Sequence, residues 1–276
     1  MQAAVIGFIG AGNMATSLIG GLVADGLPKD KIRVVDIDHE KLGKLASHYG
    51  ITACSNNADL VRQSDIVVLA VKPQHIRDVA NEIAPEVQEK KPLVVSIAAG
   101  IREASLARWL GGEVPIVRAM PNTPALVQSA ATGLHANGLV TEVQRESAES
   151  LLRAVGITVW VEEETLLDAV TAVSGSGPAY FFLLMEMMEK AGVALGLDAS
   201  VARLLVEQTA LGAAKLALES DLGPEQLRIR VTSPGGTTEK ALSVFQDSGF
   251  EAMVEQALAA ACERSKELSE QLGGED

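Results

Sequence analysis

The chain has 276 residues, of which 47% are hydrophobic and only 3% aromatic, so we expect a globular protein with an aliphatic core. No apolar run reaches the roughly 18 residues of a membrane span, and the net charge of −13 repels nucleic-acid backbones, so we expect neither a membrane span nor nucleic-acid binding. The two cysteines stand in no metal-ligand or redox spacing, so we expect reduced thiols in a cytoplasmic protein that binds no metal.

Short apolar runs alternate with amphipathic stretches through roughly the first 160 residues. The runs predict strands over 4–9, 31–36, 65–71, 93–98 and 114–119, with further edge strands over 131–135 and 158–161. The amphipathic stretches predict helices over 13–25, 39–49, 58–63, 75–86, 102–109 and 142–154. This alternation is typical of an α/β domain with a parallel, doubly wound sheet.

The rest of the sequence carries helical patterns alone, over 166–195, 199–219, 224–231, 239–246 and 250–272. We therefore predict two domains, an α/β domain over 1–163 and an all-α domain over 164–276. The helix over 199–219 is apolar on nearly all sides, and a domain of this size cannot easily bury it alone. A homodimer with interlocked helices is predicted, and packing of this helix against the first domain is the alternative.

A glycine-rich turn follows the first strand, and its sequence Gly10-Ala11-Gly12-Asn13-Met14-Ala15 matches G-x-G-x-x-(G/A). Gly10 permits a tight turn, Gly12 allows close approach of a pyrophosphate, and Ala15 lets the helix pack on the strand. The N–H groups of Asn13 and Met14 would bind the phosphates at the helix N-terminus. Within a βαβ unit, this motif predicts a Rossmann-type domain that binds a nicotinamide dinucleotide.

Asp36 ends the second predicted strand. A carboxylate there usually accepts hydrogen bonds from the ribose hydroxyls of NAD and repels the 2′-phosphate of NADP. The loop that follows has no arginine for such a phosphate, so charge alone favours NAD. Lys41 is an alternative partner for the phosphate, and both NADH and NADPH stay open.

Two later segments are predicted to end strands at the edge of the sheet that faces the cofactor, and a third is rigid and polar. Lys72, in Ala70-Val71-Lys72-Pro73, either lines the cofactor crevice or caps the strand in solvent. Ile97-Ala98-Ala99-Gly100 either runs beside the nicotinamide ribose or is a plain turn. Asn122, in Met120-Pro121-Asn122-Thr123-Pro124, is expected to reach the crevice.

Two segments of the helical half are unusual. Ser174-Gly175-Ser176-Gly177-Pro178 places two glycines inside a helical pattern, each unfavourable by about 1 kcal/mol relative to alanine, although close helix crossing would also explain them. Ser233-Pro234-Gly235-Gly236-Thr237-Thr238 precedes a helix predicted from about Glu239. Its hydroxyl and N–H groups predict an anion site, with a capped turn as the alternative.

Six segments resemble the pyrroline-5-carboxylate reductase family, in order and at the expected separations: FIGAGNMA, AVKP, SIAAG, MPNTP, AVSGSGPAY and VTSPGGTTE. The last two are far more specific than the glycine motif. The resemblance implies the last step of proline biosynthesis, the reduction of L-1-pyrroline-5-carboxylate to L-proline with NADPH or NADH. It also implies a helical dimerisation domain and, in many members, larger rings of dimers.

Carried over residue by residue, the resemblance implies cofactor contacts at the glycine turn, at two strand ends and at one asparagine. These residues are Gly10, Ala11, Gly12, Asn13, Met14, Asn57, Ala70, Val71, Lys72, Pro73, Ile97, Ala98 and Ala99. The implied substrate contacts are Ser233, Gly235, Gly236, Thr237 and Thr238, with Thr238 nearest the ring nitrogen as the candidate catalytic residue. The family often has Ser or Thr at position 36, so its NADP preference does not transfer to Asp36.

Hydride transfer to a C=N bond requires positioning more than a strong acid, because the imine can arrive already protonated near neutral pH. A hydroxyacid dehydrogenase of the same two-domain plan is the alternative function. That reaction uses a base, usually lysine, at the helical glycine motif, where SGSGPAY has none. A dinucleotide-sensing protein without catalysis is a further alternative, but it has no need of a second anion site.

Overall fold

The computed structural model describes residues 4–274, so the outermost residues of the two predicted domains, 1–3 and 275–276, lie outside it. The strands are β1 (Ile6–Ile9), β2 (Ile32–Val35), β3 (Thr52–Ala53), β4 (Ile66–Leu69), β5 (Leu93–Ser96), β6 (Ile116–Met120), β7 (Ala130–Ala136) and β8 (Gly156–Trp160). The helices before residue 160 are α1 (Asn13–Ala24), α2 (His39–Tyr49), α3 (Asn57–Arg62), α4 (Pro73–Lys90), α5 (Glu103–Trp109) and α6 (Glu142–Arg153). The later helices are α7 (Leu166–Val170), α8 (Gly177–Ala194), α9 (Ala199–Glu219), α10 (Pro224–Arg230), α11 (Thr237–Asp247) and α12 (Phe250–Gly273).

All eight strands of the described residues form one sheet in the order β3-β2-β1-β4-β5-β6-β7-β8. This order confirms the doubly wound α/β fold. The prediction of a parallel sheet is wrong at one place, because β7 pairs with β6 in the antiparallel sense. The chain between them is short and contains only the 3₁₀ segment Thr123–Val127, whereas a parallel return needs a crossover of a dozen or more residues.

The core lies on both faces of the sheet. On one face, α1, α2 and α6 bury leucines such as Leu18, Leu42 and Leu151 in a cluster that includes residues of β1, β2 and β7. On the other face, α4 and α5 bury Ile83 and Trp109, among others. Because helices cover both faces, β1, β4 and β5 are buried at every residue, as a continuous apolar run requires.

The long predicted helix over 166–195 is interrupted at the glycine motif, as expected. Residues Thr171–Gly175 form a π-helical turn between α7 and α8. A Cβ on Gly175 would lie 2.8 Å from the terminal methyl of Met120, which supports a packing role for this glycine. Among residues 4–274, no helix combines the length and the apolar content that crossing a membrane requires.

The chain divides into two compact units. The described residues up to Ser176 and from Ala260 onward form the first unit, and Gly177–Ala259 form the second. The end of α12 therefore belongs to the α/β unit, where Leu268 and Leu272 lie against Gly100. Compact units are defined by contacts within one chain and need not coincide with domains, so the domain boundary after residue 163 stays a prediction.

Candidate active site

The glycine turn connects β1 to α1. Gly10 has a φ of 102°, and a Cβ there would lie 2.7 Å from the carbonyl oxygen of Ala70, so a side chain would collide with the end of β4. Gly12 is the N-cap of α1 and has no side chain with which to accept hydrogen bonds. The N–H groups of Asn13 and Met14 in the first turn are therefore available to an anion.

Asp36 lies directly after β2, beside the glycine turn. Its Oδ2 accepts a hydrogen bond from the N–H of Ala11 at 2.6 Å, and its Oδ1 accepts one from the N–H of Asp38 at 2.9 Å. Two backbone groups thus fix the carboxylate, and one of them belongs to the glycine turn itself. Each oxygen keeps acceptor capacity for a further donor such as a ribose hydroxyl.

A cavity of about 460 Å³ opens at the carboxyl ends of β1, β2 and β4. It brings together predicted cofactor residues that are far apart in sequence: Gly10, Gly12, Asp36, Asn57, Ala70, Val71 and Lys72. Open α/β sheets bind ligands at this position, beyond the carboxyl ends of the strands where the strand order reverses. The exposed Lys72 lines the cavity and is at the same time the N-cap of α4.

The other predicted cofactor residues lie at the same end of the sheet but do not line this cavity. Ala11 is buried, and Asn13 and Met14 begin α1. Pro73 is the first residue of α4, where its fixed φ suits the helix start. Ile97, Ala98 and Ala99 follow β5, and the Ile97 N–H donates to the carbonyl of Leu69 at 3.2 Å.

Seven residues that line the cavity are absent from the predicted site. They are Ile9, Val35, Ile37, Lys41, His75, Asp78 and Val79. The sequence indicates Lys41 only as an alternative partner for a 2′-phosphate. His75, Asp78 and Val79 are spaced at i, i+3 and i+4, which places them on one face of α4. This spacing would have predicted that the three residues line the cavity, if the sequence had shown that the start of α4 faces the glycine turn.

Asn122 does not reach the cavity, which corrects the expectation from the MPNTP segment. It is buried, with its Nδ2 donating to the Ser174 carbonyl at 3.0 Å and its Oδ1 accepting from the Ala131 N–H at 3.0 Å. Both ends of the amide are therefore used to join β7 to the π-helical turn, and the residue supports the structure of the first unit.

The SPGGTT loop lies in the second unit and leads into α11. Gly235 has a φ of 71°, and its N–H donates to Oε2 of Glu239 at 2.7 Å. The Gly236 N–H donates to the Ser233 carbonyl at 3.0 Å. Because no side chain caps α11, the N–H groups of its first turn, which include those of Thr237 and Thr238, are left open at its N-terminus. Ser233 and Thr237 are exposed and Thr238 is half-buried.

Three features of the first unit define its class. A doubly wound sheet with a glycine turn at the start of α1 and a carboxylate after β2 is the dinucleotide-binding domain of an oxidoreductase. Residues 5–100 match the family described as NADP oxidoreductase, coenzyme F420-dependent. Residues 164–268 match the family described as pyrroline-5-carboxylate reductase dimerisation.

Known proteins of high similarity narrow this class. The chain is 56% identical to the pyrroline-5-carboxylate reductase of Pseudomonas aeruginosa, over 97% of this chain and 98% of that relative. A structure of a pyrroline-5-carboxylate reductase from Coxiella burnetii is 45% identical, with a TM-score of 0.93 over 96% of this chain and 98% of the other. The Plasmodium falciparum pyrroline carboxylate reductase with NADP bound is 31% identical, with a TM-score of 0.84 over 98% and 99% of the two chains.

The chain therefore belongs to the pyrroline-5-carboxylate reductase family. It is an NAD(P)H-dependent oxidoreductase that acts on a small molecule and forms a homo-oligomer. The predicted family, fold class and enzyme class are confirmed.

Proposed function

We propose that this chain reduces the C=N bond of L-1-pyrroline-5-carboxylate to give L-proline in the cytoplasm, with residues of the glycine turn and of the SPGGTT loop in the roles below. The observation that carries the proposal is that one chain of this family has both a cavity at the glycine turn and an open helix N-terminus after SPGGTT. The first suits a dinucleotide and the second suits a small carboxylate.

The residues around the cavity fit a dinucleotide, because no atom lies closer than 3.9 Å to the position of a Cβ on Gly12 and α1 offers free N–H groups. The nicotinamide, when bound, supplies the hydride. The N–H groups of Asn13 and Met14 bind the pyrophosphate, and Asp36 binds the adenosine ribose. Asn57 donates its Nδ2 to Glu82 at 2.9 Å, which leaves its Oδ1 free to accept from the cofactor.

The strand ends complete the cofactor site. Ala70, Val71 and Lys72 form its wall beyond β4, and Pro73 turns the chain into α4. The backbone of Ile97 to Ala99 follows β5, the neighbour of β4 in the sheet. Small side chains at Ala98 and Ala99 let this backbone approach the nicotinamide ribose.

The SPGGTT loop binds the substrate. The N–H groups of Thr237 and Thr238 and the hydroxyl of Ser233 hold the carboxylate, while the Thr238 hydroxyl hydrogen-bonds the ring nitrogen. The N–H groups of Gly235 and Gly236 join them only when they leave Glu239 and the Ser233 carbonyl. No strong general acid is required, since a protonated imine already accepts hydride, so catalysis consists of holding the reacting atoms at roughly 3–3.5 Å.

The helical half forms the homodimer and, through it, larger rings. Apolar side chains on α8 and α9 are 60% to 82% exposed in the single chain, and they are Phe181, Phe182, Leu204, Leu211 and Leu218. A soluble protein rarely leaves so large an apolar surface uncovered, and a second copy of these helices would cover it. The start of the dimerisation match at residue 164 supports a domain boundary after residue 163.

The decisive experiment measures NAD(P)H oxidation with pyrroline-5-carboxylate between pH 6 and 8, with 3-hydroxyacids and the oxidised cofactors as the comparison. Turnover of the imine supports the proposal, and its absence at every pH would remove it. Thr238→Ala should lower kcat/KM while the Kd of the cofactor stays the same, and Thr238→Ser, which keeps the hydroxyl, should restore most of the loss. An unchanged kcat/KM in Thr238→Ala would exclude Thr238 from the mechanism.

A further inference from the structure

We propose that Asp36 selects the adenosine ribose of the cofactor, and that it favours the 2′-hydroxyl of NADH over the 2′-phosphate of NADPH. This inference rests on the proposed cofactor site and goes beyond it, because it names the form of the cofactor that the site prefers. It stands on three features of the cavity: a carboxylate that cannot move away, an apolar neighbour, and too little positive charge to offset a phosphate.

The Asp36 carboxylate is held in the cavity wall. Its two oxygens accept from the N–H groups of Ala11 at 2.6 Å and Asp38 at 2.9 Å. Ala11 is fully buried, so rotation of Asp36 away from a phosphate would leave a buried N–H without an acceptor, which is unfavourable. The negative charge therefore stays where the ribose is expected to lie.

A fixed carboxylate treats the two cofactors differently. The 2′-hydroxyl of NADH can donate a hydrogen bond to an oxygen of Asp36 that still has a free lone pair. The 2′-phosphate of NADPH brings about one and a half to two negative charges to the same place, and no donor for the carboxylate. Like charges a few ångströms apart at a partly hydrated surface repel strongly enough to change affinity by at least about tenfold.

The rest of the cavity does not compensate for this repulsion. The residue after Asp36 is Ile37, which is 96% exposed and lines the cavity, so it offers an apolar contact where a cation would pair with a phosphate. Apart from Asp36, the charged residues of the wall are Lys41, Lys72 and Asp78, whose single net positive charge is smaller than the combined negative charge of Asp36 and a 2′-phosphate. Lys41 projects from the first turn of α2 and is exposed, so water weakens any pair that it forms.

The test compares two identical changes in one loop. Asp36→Asn removes the charge from the cavity wall, whereas the control Asp38→Asn removes the charge of a residue that does not line the cavity. The control keeps the N-terminal cap of α2, since Asn caps helices as well as Asp does. Asp36→Ser is the second variant at the site, and melting temperatures establish that each variant is folded. Kd values for NADH and NADPH come from titration of nicotinamide fluorescence, and kcat/KM ratios from turnover.

We expect the wild type to bind NADH more tightly than NADPH. Both Asp36 variants should raise the NADPH-to-NADH ratio of affinities by about ten- to a hundredfold, as loss of one charge pair implies, and Asp38→Asn should leave it unchanged. A wild type that prefers NADPH, an unchanged ratio, or equal weakening of both cofactors would overturn the proposal. Because titration needs no turnover, these outcomes are separate from failure of the proposed reaction.

Lys41→Met tests the opposing explanation. If Lys41 does not compensate for Asp36, its replacement should change the NADPH-to-NADH ratio by less than about twofold, the effect of one exposed pair. A selective loss of NADPH binding of tenfold or more would show that Lys41 reads the phosphate, and would overturn the inference.

Discussion

The buried side chain of Asp168 joins three elements of the first unit, and its removal is expected to destabilise the protein strongly. Its Oδ2 accepts from Nη2 of Arg102, the N-cap of α5, at 2.6 Å, and its Oδ1 accepts from the Ser265 hydroxyl of α12 at 2.7 Å. The Asp168 side chain is 5% exposed and that of Arg102 is 22% exposed. The pair is therefore largely withdrawn from water, unlike the surface pairs of the chain.

The expected magnitude follows from what Asp168→Ala leaves behind. Breaking a buried ion pair from one side typically destabilises by about 3–5 kcal/mol, because the other charge stays buried without a partner. Arg102 keeps some exposure and can be partly hydrated, so we expect about 3 kcal/mol, the lower end of that range. Ser265→Ala removes one hydrogen bond to a charged group and should destabilise by about 1.5 kcal/mol.

The assay is urea unfolding at one fixed protein concentration, since the stability of an oligomer depends on concentration. The matched control is Glu267→Ala, which breaks the Arg264–Glu267 ion pair on α12, the helix that carries Ser265. Both side chains of this pair are about half exposed. That change should alter the free energy of unfolding by less than about 1 kcal/mol. The reasoning is refuted if Asp168→Ala destabilises no more than Glu267→Ala.

Two further predictions concern packing and pH. Gly21→Ala should destabilise the protein, because the new Cβ would lie 2.4 Å from the Ala154 carbonyl oxygen. Gly43→Ala in α2 should stabilise it by about 0.5–1 kcal/mol, because no atom lies within 4 Å of the new Cβ. Thermal unfolding measures both effects, and a Gly21→Ala variant as stable as the wild type would contradict the predicted clash. Burial, followed by the charge of Glu164, raises the pKa of Glu103, so the folded state holds the Glu103 proton more tightly than the unfolded chain. This contribution to stability is present below the ordinary glutamate pKa of about 4.3 and is lost as the pH rises through the raised pKa of Glu103. Glu103→Gln should therefore gain stability relative to the wild type as the pH rises between these two pKa values. Urea unfolding of both proteins at each pH tests this, and a difference in the free energy of unfolding that does not change with pH would disprove it.

The sequence predicts helices best where local chemistry ends them. Helix α2 begins and ends at the predicted residues because Asp38 accepts the Lys41 N–H at its start and Gly50 adopts a φ of 69° at its end. The direction of β7 could not be predicted in this way, since an apolar run is the same in a parallel and an antiparallel strand. The two-residue β3 is too short to show any period at all.

Buried polar side chains were beyond prediction because their partners are distant in sequence. Arg118 lies in a strand whose residues read as apolar core, and it is 6% exposed. Its Nη1 donates to Glu164 at 2.7 Å, and the same carboxylate oxygen accepts from the Glu103 N–H. Burial lowers the pKa of Arg118 in spite of Glu164, and nothing in the sequence pattern around Arg118 indicates either effect.

The cofactor preference at Asp36 could not be predicted from the sequence, and a hydrogen bond in the structure supplies the missing information. From sequence, a carboxylate after the second strand with Lys41 nearby is compatible with either cofactor, because a mobile carboxylate could turn away from a phosphate. The hydrogen bond from Ala11, twenty-five residues earlier, removes that freedom, since turning would leave a buried N–H unpaired. Asp36 and Lys41 in a loop without this hydrogen bond would be compatible with either cofactor. The preference for NADH therefore depends on the hydrogen bond from Ala11 as much as on the charge of Asp36.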